Sequence, residues 1–283
     1  MRIIMINTIK TVIFMGILGL IVILVGGAIG GQNGLATAFI FALAINGGAY
    51  FLSDRIALAA AGAKPLTQRE APDIYKMVEN LTAKSGIPMP KLFITPDSQA
   101  NAFATGRNPD HASLALTQGL LNTLSLSEIR GVLSHELSHI KNRDILITSV
   151  AAVIASSVSF LANMGFYGGF GGNNNRRNSG GFGFLAILLA PIAAMLLQLA
   201  VSREREYEAD RSGALMLGTS EPLAQALTDI GRSTAVNPTQ LNPALATLYI
   251  ANPMGGHRGT LVNLFSTHPP LPERINRLRS MRF

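Results

Sequence analysis

The chain contains no cysteine. That excludes disulfides and any thiolate metal site, and it leaves His, Asp and Glu as the side chains available to a transition metal. Tryptophan is also absent, and no basic run is interleaved with aromatics. The formal net charge of +7 therefore does not read as a nucleic-acid surface, and no nucleic-acid partner is expected. Charge itself is scarce. Asp, Glu, Lys and Arg make up 14% of the chain, against roughly 25% in ordinary soluble proteins. The shortage is local: none of the four occurs at 11–53, 145–175 or 178–202. The 283 residues thus divide into lipid-like windows and a remainder with the charge of a globular domain.

A bilayer core takes about 20 apolar residues per helix. Positions 11–53 hold two such lengths, with spans near Ile9–Val25 and Leu35–Leu52 and a Gly-rich turn over Gly26–Gly34. A cleaved signal peptide is the alternative, since Arg2 and Lys10 precede an apolar run followed by small residues. The second apolar run, with no charge before it, favours a retained hairpin. A second hairpin is expected near Ile145–Phe166 and Phe182–Val201, joined by a Gly- and Asn-rich exposed loop at 168–181. Pro191, Ser156, Ser157 and Asn163 weaken it, and packing over the soluble part is its alternative. Arg2, Lys10, Arg55, Lys64, Lys141, Arg143, Arg203 and Arg205 flank the apolar windows, against Arg176 and Arg177 in the second loop. This balance puts both termini and the polar regions in the cytoplasm, with the basic residues meeting anionic headgroups of the lipid bilayer.

His135-Glu136-Leu137-Ser138-His139 is an H-E-x-x-H motif. On a helix, residues i and i+4 share a face, so both imidazoles reach one ion. Glu136 lies about 100° around, placed to act as general base toward a metal-activated water. The surroundings supply the helix: Ser125 and Glu128 have capping-box spacing, and Ile129, Val132, Leu133 and Leu137 form an apolar stripe. The bland reading is a surface helix with two ordinary histidines. A catalytic zinc needs a third protein ligand, and Glu204, Glu206 and Glu208 all qualify by type. Glu206 stands out because Asp210, one turn on, is then placed to accept the free N–H of a ligating histidine. The other reading of 203–210 is a charged juxtamembrane helix with surface ion pairs. An apolar hairpin between the two segments would return the chain to the same membrane face.

H-E-L-S-H, followed across an apolar hairpin by S-R-E-R-E-Y-E-A-D, closely resembles the HtpX family of bacterial membrane zinc metalloproteases, relatives of the CAAX prenyl endopeptidases. The resemblance extends to Asn101–Gly106 and to Phe265–Pro270. It implies a mainly α-helical membrane protein with a small β-sheet: a zincin-like, gluzincin-type domain plus about four transmembrane or membrane-associated helices. The corresponding organisation is an N-terminal hairpin at 1–58, catalytic segments at 59–144 and 203–283, and a second hairpin at 145–202. The resemblance implies that His135, His139 and Glu206 bind one Zn2+ per chain and that Glu136 is the general acid/base. It further implies an inner-membrane enzyme of stress-linked quality control. Its substrates would be misfolded or unassembled membrane proteins and unfolded polypeptides, and its partners other membrane quality-control proteases.

Lys91–Thr95 and Ala112–Leu116 read as short strands, with Asn101, Ala102, Phe103, Ala104 and Thr105 extended between them. In related zinc peptidases an edge strand beside the metal holds substrate by its backbone, so Asn101–Ala104 are substrate-binding candidates, with a plain connecting strand as the alternative. His268 is a candidate for stabilising the oxyanion, or else a structural residue in its Pro-rich turn. His111 and His257 read as surface residues. Helices are expected near Asp73–Ser85, opened by Thr67–Glu70, and over Leu271–Leu278. Two other functions compete. A scaffold with a structural zinc would have no purpose for Glu136. An intramembrane protease would bury the motif in a span, whereas Glu128, Arg130, Lys141, Arg143 and Asp144 bracket it here.

Overall fold

The structure is a computed structural model and describes residues 2–151, 202–236, 250 and 269–283. Helix α1 runs over Arg2–Ala60 and is broken at Gly31, whose φ of 58° and ψ of −141° suit glycine alone. The reversal expected across nine residues is therefore made at one. The two arms then pack on each other. The Asn46 side chain donates to the Met15 carbonyl at 3.2 Å. Gly19 gives the room for this, since a Cβ there would stand 3.0 Å from Asn46 Nδ2. The residues from Gly31 to Ala60 form a helix long and apolar enough to cross a membrane, and Thr11–Leu24 is a shorter apolar stretch. Val12, Leu20, Phe39, Ile40, Phe41 and Leu43 are exposed on this hairpin, a display suited to lipid rather than water. The proposed second hairpin begins helical at 145–151, and its remainder lies outside the described residues, as do His257 and His268.

After α1 come β1 (Lys64–Pro65), α2 (Pro72–Ser85), β2 (Lys91–Thr95), β3 (Ala102–Gly106) and β4 (Ala112–Thr117). Then follow α3 (Gln118–Thr123), α4 (Leu126–Asn142), α5 (Arg203–Leu217), α6 (Glu221–Val236) and α7 (Leu271–Arg279). Both expected strands and the extended segment between them appear. Thr67–Glu70 does not open α2 but closes its own turn, with Thr67 N and Oγ1 donating to the Glu70 carboxylate at 2.8 and 2.6 Å. The helix starts at Pro72, because a proline without an N–H fits the first helical turn. The sheet order is β1-β2-β4-β3, with β2 parallel and β3 antiparallel to β4, so β3 is an edge strand.

Helix α4 is the pivot of the fold. Ile129, Val132, Leu133 and Leu137, the expected stripe, are buried together with Ile140 against α2, the sheet and α6. Two glycines allow neighbouring helices to approach α4 closely. A Cβ on Gly131 of α4 would lie 2.6 Å from Leu223 N of α6, and one on Gly213 of α5 would lie 3.0 Å from His135 N. Strand β3 has two faces. Ala102 and Ala104 join the main core, while Phe103 packs with Ala57 and Leu58 at the end of α1 and with Ala115. The sheet edge is thereby fixed to the N-terminal hairpin.

Candidate metal centre

The capping box forms as its spacing required. Ser125 N donates to Glu128 Oε2 at 2.6 Å, and Glu128 N to Ser125 Oγ at 3.4 Å. With the start of α4 fixed, His135 and His139 stand one turn apart, their Nε2 atoms separated by 3.1 Å. Glu206 on α5 completes the cluster, with Oε2 at 3.6 Å from His135 Nε2 and Oε1 at 3.6 Å from His139 Nε2. All three donor atoms lie within 4.8 Å of one another. Of the three glutamates open by type, Glu204 is exposed and Glu208 accepts from Ser212 Oγ at 3.3 Å, so Glu206 alone of the three turns inward.

The far side of each imidazole is held by a carboxylate. His135 Nδ1 lies 2.9 Å from Asp210 Oδ1, the pairing expected from spacing, and His139 Nδ1 lies 3.0 Å from Asp144 Oδ2. Both rings are thereby oriented with Nε2 toward the shared point. Asp210 is itself gripped by Arg274 of α7, whose Nε and Nη2 donate to its two oxygens at 2.8 and 2.7 Å. Arg274 is fully buried and also donates Nη1 to the Ile250 carbonyl at 2.6 Å. The sequence reading had Asp144 only as a charge bracketing the motif, and it did not contain Arg274.

Charge at this cluster is tightly coupled. Burial disfavours a charged imidazole at His139, yet Asp144 and the Glu206 and Glu136 carboxylates together hold its pKa up to about 10. His135 is likewise raised, with burial opposed by Asp210 and Glu206. Burial pushes Glu136 up to about 7, the two histidines pulling the other way and the Ala104 backbone N–H bonding its carboxylate. Asp210 is lowered because Arg274 and His135 outweigh its burial. The two Nε2 atoms, 3.1 Å apart, and the Glu206 carboxylate face one point, where a cation would be held. Two imidazoles and a carboxylate with secured outer partners are a donor set that fits a divalent transition metal.

The substrate-binding candidates divide. On β3 the N–H groups of Ala102, Ala104 and Gly106 face away from β4, by the alternation of an antiparallel ladder. Asn101 is buried, and its Oδ1 accepts from Ala102 N and Ile250 N, both at 2.9 Å, so its side chain is a joint inside the fold. Phe103 points to α1. What remains near the metal centre is the backbone of Ala102 and Ala104, with the Ala104 N–H resting on Glu136. Gly106 N meets Ser149 Oγ at 3.2 Å, where the next helix covers the end of the strand. His111 stays on the surface as expected, bonded through Nδ1 to Asn108 at 2.9 Å.

The model of peptidase family M48 matches residues 68–282. The chain is 47% identical over 279 residues to a "Protease HtpX homolog" of Syntrophobacter fumaroxidans, covering 96% of this chain and 98% of that one. It is 45% identical over 280 residues to another of Pelotomaculum thermopropionicum, covering 97% and 99%. Among solved structures, Ste24p of S. mikatae superposes with a TM-score of 0.52 at 22% identity, covering 98% of this chain and 66% of that one. That likeness shows a shared fold. The chain belongs to peptidase family M48.

Proposed function

We propose that this metalloprotease is a zinc-dependent endopeptidase of the bacterial inner membrane, with its catalytic part facing the cytoplasm. It hydrolyses peptide bonds of misfolded or unassembled membrane proteins as part of stress-linked quality control, beside other membrane proteases. The observation that carries the reading is the convergence of His135 Nε2, His139 Nε2 and the Glu206 carboxylate within 4.8 Å, with a buried carboxyl, Glu136, beside them. Three donors with an adjacent acid suit catalysis, whereas a structural site closes itself with four.

One zinc ion held by His135, His139 and Glu206 would supply Lewis acidity toward the scissile carbonyl and toward water. The chain's own residues do the rest. Asp210 and Asp144 keep both Nδ1 atoms engaged and so aim the Nε2 atoms. Glu136, buried beside the two histidines, takes a proton on its carboxylate and returns it to the leaving amine. The outward N–H groups of β3 are bonded to Asn101, Glu136 and Ser149, so the edge offers its backbone carbonyls to an extended substrate. Such a contact reads shape rather than side chains and suits a broad-specificity enzyme. Phe103 keeps that edge against α1, which supports cleavage close to the membrane surface.

The test compares zinc-loaded parent and Glu136→Gln proteins for cleavage of casein in detergent. Cleavage by the parent alone, with zinc retained in both, is the expected result. Equal cleavage by both would sink the assignment of Glu136.

A further inference from the structure

Asp144 follows the last residues of α4 and precedes the helical residues 145–151, where the second apolar window begins. It occupies the position from which a helix is ordinarily capped: its carbonyl accepts from Thr148 N at 3.4 Å. An aspartate there normally turns its carboxylate onto the first backbone N–H groups of its own helix. This one does not. Oδ2 lies 3.0 Å from His139 Nδ1, and Oδ1 accepts no hydrogen bond among the described residues. The carboxylate is almost wholly buried, at 2% residue exposure, and so is turned from water toward the imidazole.

The chain bends unusually to achieve this. Arg143, with φ of 57°, is the one non-glycine residue at positive φ among the described residues. Its left-handed turn ends α4, with Arg143 N bonded to the Ile140 carbonyl and Asp144 N to the His139 carbonyl, at 3.2 and 3.3 Å. A continued helix would carry residue 144 past the His139 ring; the turn folds it back under Nδ1. A strained backbone that brings a buried carboxylate onto His139, with Arg205 also within its electrostatic reach, points to a role for that carboxylate at the site.

We infer that Asp144 is the positioning residue of His139: it fixes the ring with Nδ1 protonated and Nε2 free, as Asp210 does for His135. The inference rests on the metalloprotease reading above and extends it, because it makes the residue immediately before the second apolar segment a part of the metal centre. Whatever displaces that segment displaces His139 with it.

The experiment uses the full chain in detergent and measures zinc affinity by competition with a chromophoric chelator, together with the visible spectrum of the cobalt-loaded protein. Asp144→Ala is expected to weaken zinc about 10- to 100-fold and to alter the cobalt bands. Asp144→Asn, which keeps an acceptor but not the charge, should weaken it less. Thr148→Ala, which perturbs the same helical turn without touching His139, should bind as the parent does. Unchanged zinc affinity and cobalt spectrum in Asp144→Ala would overturn the inference, and so would an equal loss in Thr148→Ala. If Asp144→Ala does not fold, the Asn variant decides: parent-like affinity and spectrum refute the role. A parent that binds neither metal would sink the metalloprotease reading and the inference together, a result distinct from either of these.

Discussion

Replacing Arg274 by alanine removes the most deeply buried cation of the structure's described part and gives a sharp test of how the site is held. Its side chain is fully buried and makes two charge-assisted bonds to Asp210, at 2.8 and 2.7 Å, and one to the Ile250 carbonyl at 2.6 Å. Without it, the Asp210 carboxylate keeps only His135 Nδ1, at 2.9 Å, and the Ile250 carbonyl loses its donor. Breaking a buried pair from one side costs about 3–5 kcal/mol. For a domain of this size that lowers an apparent Tm by about 6–20 °C. Arg274→Lys restores charge but not the planar two-point grip, so its loss should fall between parent and alanine. Removing the charge on both sides, in Arg274→Met with Asp210→Asn, should recover part of the stability lost in Arg274→Met alone. The assay is thermal unfolding of metal-free protein in detergent, followed by far-UV circular dichroism. A shift under about 2 °C for Arg274→Ala, or no recovery in the double variant, would refute the reasoning that Arg274 is chiefly the counter-charge of Asp210.

Gly213→Ala places a methyl group 3.0 Å from His135 N and the Ser134 hydroxyl. The α5 helix must move off α4, costing about 1–3 kcal/mol and carrying Glu206 from the histidines; zinc competition should show weaker binding, and parent-like affinity would contradict the close-packing account. The metal-free protein should also lose stability as pH rises. The folded pKa of Glu136 is raised from 4.5 to about 7 and that of His139 from 6.5 to about 10. Both groups therefore contribute stability that is complete below the unfolded values and is lost as pH rises through the folded ones. Chelator-treated protein should melt at lower temperature at about pH 10 than at about pH 5, and a flat or rising profile would count against the buried, charge-coupled cluster.

How much of this was legible in the sequence depends on the range of each interaction. The α4 helix, its cap and its two ligand histidines were readable because every relation lies within one or two turns: Ser125 with Glu128, and His135 with His139. Glu206 was singled out through Asp210 for the same reason, although choosing it over Glu204 and Glu208 needed the orientation of α5. Arg274 was invisible because it meets Asp210 across 64 positions, a contact that no local periodicity encodes. Asp144 lies only five residues past His139, but its approach depends on a left-handed arginine that helix periodicity does not anticipate. Asn101 was read as a substrate contact from its place beside the strand. The fold uses it to join β3 to Ile250, since a buried amide must find internal partners. The first hairpin was evident from hydropathy, yet with several glycines at 26–34 the sequence did not show that Gly31 alone makes the reversal.

Arg274 also bears on the order in which the enzyme comes into being. A ribosome delivers the chain from its N-terminus, so the α4 helix with its histidines is made before Glu206 and Asp210, and these before Arg274. Until Arg274 arrives, Asp210 lacks its counter-charge and α5 has no clamp to hold it beside the nascent α4. A half-made chain therefore carries the H-E-x-x-H sequence without a finished centre. For a protease this is a safeguard in time: its own growing chain is the nearest polypeptide, and cutting waits until that chain has folded.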